Sequence, residues 1–179
     1  MRSVGCVAGG PEGPAGEYGP DDAGAVPWRP VTPSGGPMST IEERVQELAD
    51  KDEIRELTAR YCLAVAEGDA DTLVALFCPD GTFTAGDRQY SGLEGLRELY
   101  GGLAAGVPPK PFIQNHVIEV DGDTATGRCG AEIRMVRKGE AYTTAGHYAD
   151  VYRRVDGRWR FASRNFMTYH SVPLSRGWA

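Results

Sequence analysis

The chain has 179 residues, 41% of them hydrophobic and 25% charged, a balance that fits one soluble globular domain and at most two. Its net charge of −6 lacks the basic face that nucleic-acid binding needs, and no apolar run approaches the roughly 20 residues of a membrane-spanning helix. The apolar stretch Val4 to Ala8 is too short and glycine-broken for a signal-peptide core, so a cytoplasmic location is expected.

Residues 1–37 hold nine Gly and seven Pro with almost no apolar periodicity, a composition that cannot offset its own ordering entropy. They read as a disordered leader, and Met38 as a candidate start residue, which the intact mass of the native protein would test. Thr40 and Glu43 then have the spacing of a capping box. Asp50 and Glu53 repeat the signal and predict a second helix or a kink. Ile54, Leu57, Tyr61, Ala64 and Val65 form an apolar stripe at helical spacing, and Gly68 ends it. Asp69 or Asp71 caps a short helix through Leu73, Leu76 and Phe77, with a turn at Pro79-Asp80-Gly81. Thr82 to Thr84 and Gln89-Tyr90 read as short strands. Ser91 with Glu94 opens a helix carrying Leu93, Leu96, Leu99, Tyr100 and Leu103, which stops near Gly106 and Pro108-Pro109.

After Pro111 the apolar period changes from 3.6 to 2. Four strands follow over 112–120, 124–136, 141–154 and 158–169, joined by Asp121-Gly122-Asp123, Lys138-Gly139 and Asp156-Gly157, all hairpin turn chemistry. Helices first and strands afterwards give an α+β fold, and a curved sheet around helices leaves a concave ligand site. The domain is expected over 38–170, with a tail over 171–179. Cys6, Cys62, Cys78 and Cys129 lie too far apart in sequence to suggest a metal or redox pair and read as reduced, mostly buried thiols. The three His lack metal-ligand spacing, and there is no phosphate-binding loop and no Gly-x-Ser-x-Gly elbow. No metal or cofactor is therefore expected.

Four stretches carry a family resemblance: Leu48 to Leu57 with Arg60-Tyr61, Gly68-Asp69 with Leu76 to Gly81, Asn115 to Ala125, and Tyr148 to Arg153 with Asp156 to Phe161 and Arg164. Together they resemble the SnoaL-like branch of the nuclear transport factor 2-like superfamily. That group includes scytalone dehydratase, hexachlorocyclohexane dehydrochlorinase, bile acid 7α-dehydratase and, more distantly, polyketide cyclases. The resemblance implies a cone-shaped fold in which three or four N-terminal helices pack in the concavity of a curved, mainly antiparallel sheet. It also implies a homodimer or homotrimer. Its eliminating members use an Asp on the first long helix to orient a proton-abstracting His, with a helix Tyr and a last-strand Arg. The Tyr falls on Tyr61 and the Arg on Arg164, but the Asp position holds Ala66 and the His position Phe112. Glu67 cannot simply substitute, being about 100° further around the helix.

Strand alternation puts Phe112, Gln114, His116, Ile118 and Val120 on one face, toward the cavity. His116 is then either a pocket acid/base, its ordinary pKa near 6.5 suiting proton transfer, or a structural His bonded to a neighbour. Tyr61 either donates to a substrate oxygen or packs in the core. Tyr148 and Tyr142 share a face and line the pocket, as do Ala131 and Ile133, while Phe83 and Tyr90 border it. Arg164 and Trp159 fall on opposite faces by simple alternation, so an inward Arg164 requires a β-bulge and an anion, a carboxylate partner or a polar ligand; otherwise it forms a salt bridge at the rim. A bulge bringing Glu132 inward would supply the missing carboxylate; His147 and His170 read as rim or surface residues.

The expected function is a cofactor-independent enzyme acting on a small, mostly apolar molecule with an oxygen function, by cyclisation, isomerisation, epoxide opening or dehydration, in bacterial secondary metabolism. His116 would move the proton, Tyr61 hold an oxygen and Arg164 stabilise charge. The rival is a non-catalytic ligand-binding or dimerising module that keeps the cone without its base.

Overall fold

The computed structural model describes residues 40–104 and 106–176, and the expected leader lies outside the described residues. Helix α1 (Ile41–Glu67) opens with the capping box: Glu43 donates its backbone N–H to Thr40 Oγ1 at 3.1 Å, and Thr40 donates its own to Glu43 Oε2 at 2.8 Å. Its buried residues Ile54, Leu57, Thr58, Tyr61, Cys62 and Val65 recur three or four apart, as one core-facing stripe requires. Gly68 closes the helix at φ 74°, a left-handed cap that glycine reaches without a side-chain clash.

The break expected at Asp50 is absent, because Asp50 is spent on tertiary contacts rather than on a cap. It is 4% exposed, and its Oδ1 accepts from Arg154 Nη2 at 2.6 Å, Gln46 Nε2 at 3.0 Å and Trp159 Nε1 at 3.3 Å. Burial pushes this carboxyl up, but the hydrogen bonds from Arg154, Trp159 and Gln46 hold it below its ordinary value of 3.8. The Arg154 guanidinium lies 4.5 Å over the Trp159 ring, completing a latch between α1 and the sheet.

Asp69 caps α2 (Ala70–Ala75) by accepting from the Thr72 N–H at 3.0 Å. Strands β1 (Phe77–Ala85) and β2 (Arg88–Ser91) form a hairpin, followed by α3 (Gly92–Ala104). Strands β3 (Lys110–Asp121), β4 (Thr124–Arg137), β5 (Glu140–Val155) and β6 (Arg158–Pro173) make the meander. The sheet runs β2-β1-β6-β5-β4-β3, antiparallel throughout except where β1 lies parallel to β6. The domain is α+β, with its helices N-terminal to most of a six-stranded mixed sheet.

Two boundaries differ from the sequence expectation. Pro79-Asp80-Gly81 is not a free turn but an irregular part of β1. A Cβ at Gly81 would lie 3.0 Å from the Phe161 carbonyl oxygen, so the strands approach too closely there for a side chain. Strand β6 also continues past the expected end of the domain, pairing Val172 with Thr143 and Pro173 with Tyr142. The Lys138-Gly139 and Asp156-Gly157 turns have positive φ at both residues, the hairpin geometry their composition predicts.

Two bulges set which side chains turn inward. On β3 the register shifts between Gln114 and Val117, with Asn115 at φ 55°. On β6 it shifts opposite Val151 and Tyr152, leaving Ala162 extra. Trp159 and Phe161 face the core before that point and Arg164 and Phe166 after it, all four buried.

Candidate active site

The β3 bulge corrects part of the expected pocket lining. Phe112 is 53% exposed on the outer face, with the Arg134 guanidinium 4.9 Å over its ring, and Gln114 is exposed beside it. Alternation holds only on either side of Asn115, so Pro111 and Ile113 turn inward before the bulge and His116 and Ile118 after it. Glu132 also stays outside, paired with Arg134 at 3.1 Å and facing Thr143. Tyr142 shares the parity of Tyr148 but lies six residues away, about 20 Å along the strand, where Arg137 covers its ring at 5.5 Å.

Near the vacant Asp position Lys110 donates to the Ala66 carbonyl, while Glu67 is exposed. This contact satisfies a carbonyl of the last turn of α1 with a cation.

The charged chemistry lies elsewhere. Arg164 is 0% exposed and Asp150 3%, with Arg164 Nε 3.3 Å from Asp150 Oδ1. The guanidinium carbon sits 3.7 Å from the Tyr148 ring, 4.1 Å from Tyr61 and 4.5 Å from Phe161. Aromatic faces stabilise a desolvated cation without consuming its donors. Arg164 Nε and Nη1 and Asp150 Oδ1 make no hydrogen bond although all three are buried. Nη2 reaches only the soft acceptor Cys129 Sγ, at 4.0 Å.

From Asp150 a chain of contacts runs outward. Tyr152 donates its hydroxyl hydrogen to Asp150 Oδ2 at 2.9 Å, and His116 Nε2 lies 3.2 Å from the same hydroxyl. Tyr152 has one hydrogen and a carboxylate can only accept, so His116 Nε2 must be the donor in the second bond. That fixes the neutral Nε2–H tautomer and leaves the Nδ1 lone pair free of this chain.

Electrostatics follow burial. Desolvation pushes Asp150 up to about 6, against the opposing pull of Arg164 and the Tyr152 hydrogen bond. Desolvation likewise pushes His116 down to about 4, helped by the positive charges of Arg164 and Arg55. Arg164 stays charged: burial disfavours the cation, but Asp150 and the neighbouring Tyr and Cys groups more than compensate. Tyr61 is pushed up to about 12 by burial, and it accepts from Tyr100 at 3.4 Å, so its own hydrogen remains to be donated.

Of the expected residues, the structure brings Tyr61, Tyr148 and Arg164 together, places His116 three contacts from Arg164 through Tyr152 and Asp150, and puts Phe112, Gln114 and Tyr142 elsewhere. Ala131 and Ile133 are buried on β4; Phe83, paired in register with Arg164, is buried against Tyr100, and Tyr90 is half-buried beyond it. Asp150 and Tyr152 lie outside the expected site residues. Their signal was present, because both share the parity of Tyr148 on an unbulged β5.

A family model described as SnoaL-like domain matches residues 46–165. The chain belongs to the SnoaL-like family. It is similar to Rv3472 of Mycobacterium tuberculosis, a protein of unknown function, at 30% identity over 74% of this chain and 78% of that one, with a TM-score of 0.64. It is similar to LinA at 25% identity, covering 74% and 94% of the two chains with a TM-score of 0.68. The hexachlorocyclohexane dehydrochlorinase LinA-type3 of Novosphingobium barchaimii shares the fold at 22% identity, 74% and 94% coverage and a TM-score of 0.67. No curated protein matches the sequence. Structures that share the fold of this SnoaL-like chain thus include one named a hexachlorocyclohexane dehydrochlorinase, alongside a protein of unknown function. Among the described residues no helix is long and apolar enough to cross a membrane.

Proposed function

We propose that this SnoaL-like chain is a cofactor-independent enzyme that removes a proton from carbon next to an oxygen function in a small, mostly apolar molecule. One observation carries the reading: a carboxylate oxygen without a hydrogen bond, Asp150 Oδ1, lies 3.3 Å from Nε of a buried arginine whose Nε and Nη1 make no hydrogen bond. An unsatisfied buried donor costs about 1–3 kcal/mol, which a substrate oxygen on Arg164 Nη1 would recover. Asp150, near 6, is a stronger base than an ordinary carboxylate and is still ionised at neutral pH. Arg164, with the Tyr61 hydroxyl, would hold the oxyanion that forms as the proton leaves. Returning the proton to another carbon gives isomerisation, attack of the carbanion gives ring closure, and expulsion of hydroxide gives dehydration.

His116 takes a different part here from the one expected of it. Its depressed basicity and its bond to Tyr152 suit it to acting through Asp150, not on substrate. The test is solvent deuterium incorporation next to the carbonyl of 2-tetralone, a small apolar ketone, followed by NMR at neutral pH. The wild-type chain is expected to exceed buffer by about 10²-fold or more, and Asp150→Asn and Arg164→Met to return to the buffer rate. A wild-type rate equal to buffer overturns the reading. It would favour the non-catalytic module, which the enclosure of Arg164 by three aromatic rings also suits. For assembly we propose a homodimer, using the exposed apolar Phe112, Val117 and Val136 on the outer face of the sheet; sedimentation at monomer mass would reject it.

A further inference from the structure

A buried general base that carries solvent hydrogen into its substrate, as the exchange assay requires, must itself exchange protons with solvent, and Asp150 is fully enclosed. Its Oδ1 faces Arg164 of β6, and the titratable groups around it include Tyr61 and Cys62 of α1, Cys129 of β4 and Tyr148 of β5. The remaining oxygen, Oδ2, has one hydrogen-bond partner, Tyr152, itself 0% exposed. Beyond Tyr152 stands His116, half-buried on the edge strand β3, which packs against α1.

We propose that Tyr152 and His116 form a proton relay that connects Asp150 to solvent at the edge of the sheet. The proposal rests on the reading of Asp150 as the base, and it makes Tyr152 and His116 positioning residues that act through it. In the observed arrangement each step is balanced in the inward direction. His116 Nδ1 takes a proton from water, Nε2 gives its proton to the Tyr152 oxygen, and the Tyr152 hydroxyl gives its own to Asp150 Oδ2. The imidazole ends neutral as the Nδ1–H tautomer, and the carboxylate ends as an acid. The outward direction is the reverse sequence, starting from that tautomer.

Three independent features of the fold keep this chain in place. The bulge at Asn115, with its uncommon positive φ of 55°, turns His116 inward where unbroken alternation from Pro111 and Ile113 would turn it out. Gly127 on β4 leaves the space the contact occupies: a Cβ there would lie 2.9 Å from Tyr152 Cε2, 3.1 Å from its hydroxyl and 3.2 Å from His116 Nε2. Thr58, fully buried and tied through its hydroxyl to the Ile54 carbonyl, packs beside the Tyr152 hydroxyl. The charged groups facing His116 are Arg55 from α1 and Arg164 from β6; both oppose a second proton on the ring, which keeps it a neutral carrier.

The experiment follows the ring nitrogens of His116 and the Asp150 carboxyl carbon by NMR in the full chain across pH, assigned with His116→Gln and Asp150→Asn. The relay requires the two His116 nitrogens to shift in opposite directions as Asp150 titrates, signalling a tautomer change without protonation of the ring. In Tyr152→Phe that step is expected to vanish while Asp150 still titrates, and Gly127→Ala is expected to give the same loss should the Phe variant fail to fold. A His116 signal that stays still while Asp150 titrates, an Asp150 carboxyl that does not titrate, or a step that survives in Tyr152→Phe overturns the relay. The ketone exchange assay separates the two readings: no exchange with an intact His116 step removes the enzyme reading and leaves the relay standing.

Discussion

Arg164 heads the fully buried side chains of the domain by volume, and Asp150 is the carboxylate paired with it. A cation in that position is tolerable because three aromatic faces and one carboxylate replace part of its water, and each is needed. Removing one partner of a buried ion pair leaves the other uncompensated, which typically costs about 3–5 kcal/mol, whereas replacing both by apolar groups of similar volume is often neutral. Arg164→Met alone, which leaves the buried Asp150 carboxylate without its cation, is therefore expected to lower the urea unfolding free energy by about that amount. The Asp150→Leu, Arg164→Met double variant is expected to recover most of the loss yet show no ketone exchange. A double variant as unstable as the single one would mean that the pair also organises its surroundings. Arg164 is legible in the sequence through the family pattern; its partner Asp150 is not, because an inward carboxylate on β5 carries no local mark beyond its parity with Tyr148.

Helix α1 shows the same division at the scale of an element. Its stripe and both ends follow from local rules: the Thr40–Glu43 box, the three-to-four spacing of Ile54, Leu57 and Tyr61, and Gly68. Asp50 misled because an Asp three residues before a Glu has the local form of a cap, while the partners that claim it, Arg154 and Trp159, are about a hundred residues away in sequence. Asp50→Ala would leave the Trp159 indole N–H and one Arg154 donor without acceptors, a loss of roughly 2–3 kcal/mol. The effect should be local: amide exchange is expected to accelerate in the turns around Asp50 while the turn at Tyr61, buried among four aromatic rings, keeps its protection. Uniform acceleration along α1 would show that the latch holds the whole helix. The strands reverse the difficulty. Their existence and turns were plain, but two single-residue bulges decide which side chains meet, and a bulge leaves the hydrophobic pattern readable in two registers. Asn115 was the one local hint, since Asn tolerates positive φ better than most residues.

For the molecule as a whole the two ends of the relay pull stability in opposite directions with pH. Asp150 titrates near 6 in the fold against an ordinary 3.8, so the folded state holds its proton more tightly. Its contribution is full below about 3.8 and is lost as pH rises through about 6. His116 titrates near 4 against an ordinary 6.5, so the folded state holds that proton less tightly. Its contribution is full above about 6.5 and is lost as pH falls through about 4. Between these limits the two slopes oppose, and their sum in the wild type is small. Each single substitution exposes the other slope. Relative to wild type, Asp150→Asn should gain stability steadily as pH rises from about 4 to 6, because the cost of the buried carboxylate no longer grows. His116→Gln should lose stability relative to wild type over the same window, because the neutral imidazole no longer gains. Carboxyls such as Asp50, Asp69 and Asp80, all held below their ordinary value, add a rising background that is common to every variant and cancels in the comparison. Urea midpoints at half-unit intervals of pH provide the measurement. Difference curves of the same sign for the two variants would mean that the coupled Asp150–Tyr152–His116 chain does not titrate as its burial requires. Opposite signs, with the two differences cancelling in the double variant, would show that one buried base and one buried imidazole set the pH response of the fold.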